Sequence, residues 1–174
     1  MSERQKVLSY WLMPSTPDAL RFQAVIDAMA DQQSAPRFRA HLSFGSVSGE
    51  EPPMEAILSK LQGLTLHPVE IARTPSFTMS LFVRFAPNQG LVEARTLLAS
   101  SPGFQSSRAF DPHISLCYGA PANADSLEPE IAALMEKPVQ FDQLIAMMVS
   151  LPVETHEDVA AWTQHASYRI PLAD

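Results

Sequence analysis

One pattern of four residues occurs twice in this chain, and it constrains the fold more than any other feature. His41-Leu42-Ser43-Phe44 reads His, apolar, Ser, apolar, and so does His113-Ile114-Ser115-Leu116. On a β-strand successive side chains point to opposite faces. His41 and Ser43 therefore share one face while Leu42 and Phe44 anchor the other. The same holds for His113 and Ser115 against Ile114 and Leu116. Each stretch offers one imidazole and one hydroxyl on a single face. The chain has only five histidines, so two placed in this way call for two similar strands that bring these faces together.

The periodicity around each copy supports this. Val7 to Met13 alternates as a strand, with Leu8, Tyr10 and Leu12 on one face and Ser9 and Trp11 on the other. Thr16 is the expected cap of a helix with Pro17 at its first position and Asp18 in its first turn. Phe22, Val25, Ile26 and Met29 form its apolar stripe, and Pro36 closes the segment. The first His-x-Ser strand runs to about Val47. Ser48 then caps a helix with Met54, Ile57, Leu58 and Leu61 at helical spacing, and Gly63 is its stop. A strand from Leu66 to Arg73 follows.

The order then recurs. Phe77, Met79, Leu81, Val83 and Phe85 alternate with Thr78, Ser80, Phe82 and Arg84 as the cleanest strand in the chain. Pro87 opens a helix carrying Leu91, Ala94, Leu97 and Leu98. A loop from Ser100 to Ser107 leads to the second His-x-Ser strand, about Phe110 to Tyr118. Ser126 caps a helix with Ile131, Leu134 and Met135, and Val139 to Val149 is a strand. At an offset of 72 residues the two copies coincide, giving a pattern repeat of about 6–73 and 77–149 with a closing strand at about 161–172. One unit stacked on its copy would bury both apolar faces. The expected architecture is one α+β domain over residues 1–174. It has two pseudo-symmetric lobes of antiparallel or mixed sheet, with outer helices around a central cleft.

Composition narrows the function. The hydrophobic fraction of 46% and charged fraction of 18% suit a soluble globular protein. A formal net charge of −7 weighs against long nucleic acid as the main partner, since phosphate-tracking surfaces are basic. It leaves room for a small nucleotide, which needs only local donors. The single cysteine, Cys117, rules out an internal disulfide and a Cys-rich zinc site, and it fits a reducing cytoplasm. The apolar run before Pro14 is too short for a signal peptide, and no run approaches a membrane span.

Two histidines near a pKa of about 6.5 can hold opposite protonation states near neutrality. One can then activate water while the other protonates a leaving alkoxide. Ser hydroxyls two residues away can donate to phosphoryl oxygens without a metal. Two histidines with Asp111 as the one adjacent acid are a poor zinc set. Arg37, Arg39, Arg84 and Arg108 could add attraction for phosphate, though each reads first as a surface charge. His67 reads as a loop or edge residue, His156 as part of an exposed loop and His165 as part of the closing strand.

Paired His-x-Ser/Thr strands in two similar halves resemble the two-histidine (2H) phosphoesterase superfamily. Within it the chain is similar to the plant- and yeast-type cyclic nucleotide phosphodiesterases. The likeness runs from Tyr10-Trp11-Leu12-Met13-Pro14 through Pro112-His113-Ile114-Ser115-Leu116 to the Trp162 segment. It implies hydrolysis of nucleoside 2′,3′-cyclic phosphates or ADP-ribose 1″,2″-cyclic phosphate by His41 and His113, with Ser43 and Ser115 holding the phosphate. It implies no metal or other cofactor and a small cyclic nucleotide as partner; no membrane is expected, and a monomer is favoured with the oligomeric state left open. By analogy His113 is the base and His41 the acid, though the order could be swapped. It also suggests that Trp11 and Tyr118 line the pocket and that Phe77 stacks on a base. Alternation agrees for Trp11, although a core role fits that residue equally. For Tyr118 it disagrees, placing Cys117 beside the site unless a bulge intervenes, and it gives Phe77 to the core. The alternatives are a 2′-5′ RNA ligase-like enzyme of RNA processing that opens RNA 2′,3′-cyclic ends, a non-catalytic nucleotide-binding module, and a structural protein whose two histidines lie apart.

Overall fold

The computed structural model of the chain describes residues 3–106, 109–119 and 123–173. Its strands are β1 (Gln5–Pro14), β2 (Leu42–Val47), β3 (Thr65–Ala72), β4 (Leu81–Ala86), β5 (Phe104–Gln105), β6 (His113–Cys117), β7 (Val139–Leu151) and β8 (Thr163–Arg169). Its helices are α1 (Thr16–Gln33), α2 (Met54–Lys60), α3 (Gln89–Ala99), α4 (Glu128–Leu134) and α5 (His156–Ala160). Among the described residues no helix is long and apolar enough to cross a membrane.

The strand order is β1-β2-β6-β4-β3-β7-β8, with β5 on β2 and a further pairing of β1 with β7. Every described pairing is antiparallel. The circuit β1-β2-β6-β4-β3-β7 closes on itself, so none of these strands is left with an open edge along its whole length. Two of its links are narrow: Leu42 opposite Ile114, and Thr65–Leu66 opposite Val139–Gln140. These seams divide the circuit into a β2-β1-β7-β8 lobe and a β6-β4-β3 lobe.

The lobes are not the two halves of the chain. Exchanging β1 with β4, β2 with β6 and β3 with β7 maps the circuit onto itself, with the two seam pairings β2–β6 and β3–β7 unchanged. The third strand of each half pairs in the other half's lobe: β7 with β1, and β3 with β4. The helices exchange in the same way, α1 packing on β6 and α4, and α3 on β2 and α2. The halves therefore interlock where simple stacking is the expectation from the repeat. Burial is the physical reason, because α1 and α3 each need an apolar sheet back and find it on the opposite half's His-x-Ser strand. Leu42, Phe44, Ile114 and Leu116 lie in that core with Phe22, Ile26, Leu91 and Leu98.

Several helix starts differ from expectation, each because a side chain has a better partner. α1 begins at Thr16 with Ser15 as its cap. Asp18 does more than face the helix dipole: its carboxylate accepts from the backbone of Gln140 at 2.9 Å, tying α1 to β7. Ser48 caps nothing; it bonds the Gly103 carbonyl, and α2 starts only at Met54. Asn88, one residue past Pro87, caps α3 by accepting from the Leu91 N–H at 2.9 Å. Ser126 falls in a 3₁₀ turn ahead of α4 and bonds Gln32 of α1.

Candidate active site

The largest departure from the sequence pattern forms a wall of the cleft. Phe77–Met79, expected as the start of a strand, is a 3₁₀ turn, and β4 begins at Leu81. Two carbonyls of that turn are taken by the end of the second His-x-Ser stretch. The Ser115 hydroxyl donates to the Thr78 carbonyl at 2.6 Å, and the Gly119 N–H donates to the Phe77 carbonyl at 2.9 Å. Periodicity cannot see such long-range bonds, so an alternating run is curled into a turn. Phe77 is half-buried and packs on Tyr118, ring centres 5.8 Å apart.

Both His-x-Ser strands carry an irregularity at the same place. Trp11 pairs with Ser43 but Tyr10 pairs with Gly45, so Phe44 is the extra residue on β2. Phe82 pairs with Ser115 but Leu81 pairs with Cys117, so Leu116 is the extra residue on β6. A bulge of this kind flips the alternation beyond it. On β6 it turns Cys117 into the core and Tyr118 to the cleft, against strict alternation. On β2 it brings Ser46 to the cleft and leaves Gly45 no room for a side chain, since a Cβ there would sit 2.7 Å from Leu98 and 2.9 Å from Phe104.

The result is one cavity of about 240 Å³ between the lobes. It is lined by His41, Ser43, His113, Ser115, Trp11 and Tyr118, together with Ser9, Ser46, Thr78, Met79 and Trp162. All six residues singled out in the sequence thus meet in one cleft, which is the opposite of two histidines held apart. Cys117 is buried off it. Trp162 arrives on the turn after α5, where a Thr155–Asp158 capping box fixes the loop. His156 is therefore helical, in the first turn of α5, and not in a loop. His67 lies exposed within β3, and His165 exposed on β8.

The two imidazoles are held alike. His41 Nδ1 lies 2.6 Å from the Arg39 carbonyl, and His113 Nδ1 lies 2.7 Å from the Asp111 carbonyl. A carbonyl only accepts, so Nδ1 carries the proton in both rings, and Nε2 is the basic nitrogen of each. Each ring also rests on an aromatic from the neighbouring strand. Trp11 stacks flat on His41, 3.7 Å between centres and 14° between planes, with its indole N–H donated to Ser9 at 2.9 Å. Phe82 lies 5.0 Å from His113 at 60°. Trp11 and Phe82 pair with the two motif serines, so they are equivalent under the pseudo-symmetry. The sequence gives no hint of Phe82's place, because it follows a stretch that only resembles a strand.

The two copies differ in burial. His41 and Ser115 are buried, while His113 is half-buried and Ser43 is exposed. Burial pulls the His41 pKa down to about 4, helped by the positive charge of His113 and opposed by the Arg39 carbonyl bond. The unfolded chain, with a histidine pKa of about 6.5, then takes up this proton before the folded one does. Stability from this group is complete above pH about 6.5 and is lost as pH falls toward 4, by about 3 kcal/mol. A His41→Asn variant is expected to show a flatter unfolding free energy across that window in denaturant titrations. An unchanged slope would remove His41 as its cause.

The three described arginines of the four lie elsewhere. Arg84 donates to Asp111 at 2.8 and 3.1 Å and also pairs with Glu70. Arg37 pairs with Asp31. Arg39 lines a groove of about 510 Å³ with Met13, Gln143 and Arg169, and it reaches Gln164 at 3.2 Å. Arg108 lies outside the described residues. Among those residues no three His, Cys, Asp or Glu side chains come together as a metal site.

No protein-family model matches the sequence, and no curated protein matches it. Solved structures do. A crystal structure described as a phosphoesterase is 16% identical, with a TM-score of 0.56 over 96% of this chain and 99% of that one. E. coli LigT complexed with NADP+ is also 16% identical, with a TM-score of 0.56 over 97% and 99% of the two chains. E. coli LigT complexed with 3′-AMP is 21% identical, with a TM-score of 0.51 over 97% and 99%. The chain therefore has the α+β fold of these structures, a LigT-like fold.

Proposed function

We propose that this protein hydrolyses a small cyclic phosphodiester, a nucleoside 2′,3′-cyclic phosphate or ADP-ribose 1″,2″-cyclic phosphate, to a phosphomonoester without a metal. The observation that carries this reading is the matched fixing of the two imidazoles. His41 and His113 face one small cavity, each with Nδ1 committed to its own backbone. Such a pair suits one proton taken from water and one delivered to the leaving ribose oxygen, with phosphorus changing partners between them. Ser43 and Ser115 are proposed to hold the non-bridging oxygens. Ser115 would release the Thr78 carbonyl to do so, whereas exposed Ser43 can turn directly. Trp11, Tyr118 and Trp162 form the apolar rim for the ribose.

We assign His113 as base and His41 as acid. In the free protein His41 is neutral at pH 7, so the acid needs its proton restored when the anionic phosphate arrives. The flat Trp11 face favours that cation further, by about 0.5–2 kcal/mol. A second reading, action on RNA 2′,3′-cyclic ends, draws on the neighbouring groove that holds Arg39 and Arg169. The test is incubation in EDTA with 2′,3′-cyclic nucleotides, ADP-ribose 1″,2″-cyclic phosphate and a short RNA ending in a cyclic phosphate. Conversion of the small substrates supports the first reading, and conversion of RNA alone the second. No product from any of them leaves a nucleotide-binding module.

A further inference from the structure

The cleft does not end at Ser43 and His113. Past them it opens into a second cavity of about 550 Å³ that shares Ser43, Gly45, Met79 and His113 with the first. Two charged residues among those described line it, Asp111 and Arg95. Asp111 is neutralised by the two-pronged bond from Arg84. Arg95, on α3, has no carboxylate partner among the described residues. Its guanidinium lies between two rings, 4.6 Å from the centre of Phe104 and 4.8 Å from that of Phe110. Its Nε is buried and makes no hydrogen bond.

The side chain is half-buried, so the arrangement costs part of the guanidinium's hydration if it serves packing alone. Aromatic faces attract a cation, yet they accept no strong hydrogen bond, and a desolvated charge without a counter-charge is destabilising. The shift of its pKa is downward, with burial as the cause. What the sandwich does achieve is position: two rings hold a planar, five-donor group beside the catalytic cavity. In a chain of net charge −7, an uncompensated cation at that place is built for an anion.

We infer that Arg95 binds a second phosphate of the substrate, one that lies beside the scissile cyclic phosphate. This deepens the proposed function and rests on it. The substrate class becomes cyclic phosphates bearing at least one further phosphoryl group. That group could be the terminal or bridging phosphate of a small nucleotide, or the next phosphodiester of an RNA end.

The test uses ratios. Turnover is compared for adenosine 2′,3′-cyclic phosphate, its 5′-phosphorylated form and a dinucleotide ending in a 2′,3′-cyclic phosphate. Binding of adenosine 3′-monophosphate and adenosine 3′,5′-bisphosphate is measured by calorimetry on the same protein. A charge-assisted contact of this kind predicts that the doubly phosphorylated partner is preferred by about 10-fold or more at low salt. In Arg95→Gln the preference should fall to one or below, because the acidic protein then only repels the added charge. Arg95→Lys should restore part of it. Preference for the 5′-phosphate points to a small nucleotide, and preference for the dinucleotide alone points to an RNA end. A wild-type ratio of one or less, or an equal ratio in Arg95→Gln, overturns the inference. If Arg95→Gln does not fold, the wild-type ratio and Arg95→Lys decide. Absence of all turnover with the bisphosphate preference intact rejects the proposed activity and keeps the subsite.

Discussion

Replacing either His41 or His113 by alanine is expected to lower kcat/KM for a nucleoside 2′,3′-cyclic phosphate by about 10³-fold or more, while the protein still folds. Positioned proton transfer contributes about 10²- to 10⁴-fold per group, and each imidazole faces the shared cavity with its Nδ1 held by a backbone carbonyl. Neither ring is a keystone of the apolar core. His113 is half-buried, and His41, though buried, faces the cleft and not the core behind β2. His41→Ala leaves the Arg39 carbonyl without its donor and uncovers Trp11, so some loss of stability is expected. It also removes a group that is buried neutral, which offsets part of that loss at acidic pH. Circular dichroism and melting curves separate a dead site from an unfolded chain. The double variant should be little worse than either single one, since the two residues act as a unit. Turnover within tenfold of wild type in either single variant would sink the paired mechanism. Such a result would leave the hydrolysis in place and move its proton transfers to other groups of the cleft.

What the sequence made legible was local, and what it hid was long-range. The fixed period of a strand placed His41 with Ser43 and His113 with Ser115, and the structure keeps both pairs on one face. The same rule misplaced Tyr118, because the bulge at Leu116 is written in the pairing with β4 and not in the residues of β6. It misread Phe77–Met79 for a similar reason, since the Ser115 hydroxyl and the Gly119 N–H capture that turn from a distant segment. The α1 cap moved from Thr16 to Ser15, and α3 opens after an Asn88 cap where Pro87 was expected to open it, small shifts that leave each apolar stripe in place. Ser48 and Ser126 capped nothing because each found a bond across the fold. The repeat was visible as an offset, but its interlocking was not. Which half supplies the sheet back for α1 or α3 depends on burial in three dimensions. Phe82 and Arg95 were invisible as site residues for the same reason. Each sits in an ordinary local pattern, and only the neighbouring strand or the facing rings give it a role.

Changing the leaving group is expected to separate the two histidines by about 10²-fold or more, and this would fix the order of proton transfer. An acid is needed only when the leaving oxygen is a poor one. A ribose alkoxide must be protonated as it departs; a nitrophenolate need not be. If His41 is the acid, His41→Gln loses about 10²- to 10⁴-fold on a nucleoside 2′,3′-cyclic phosphate. On a phosphodiester with a nitrophenyl leaving group it loses less than about tenfold. His113→Gln, lacking the base, loses heavily on both, because water must be activated whichever group departs. The buried state of His41 makes this a demanding test. With a pKa of about 4 in the free protein, its neutral Nε2 could equally begin as the proton acceptor, and the reverse pattern, with His113→Gln rescued by the good leaving group, would assign it that role. The kcat/KM profile alone does not discriminate, since one shared proton gives the same bell shape whichever ring holds it. The profile should nonetheless show an acid limb near pH 4, where His41 in the free protein takes on its own proton and the cleft holds one proton too many. Glutamine is the right replacement for both positions. It keeps a polar amide of similar length beside the Trp11 and Phe82 supports while proton transfer is lost.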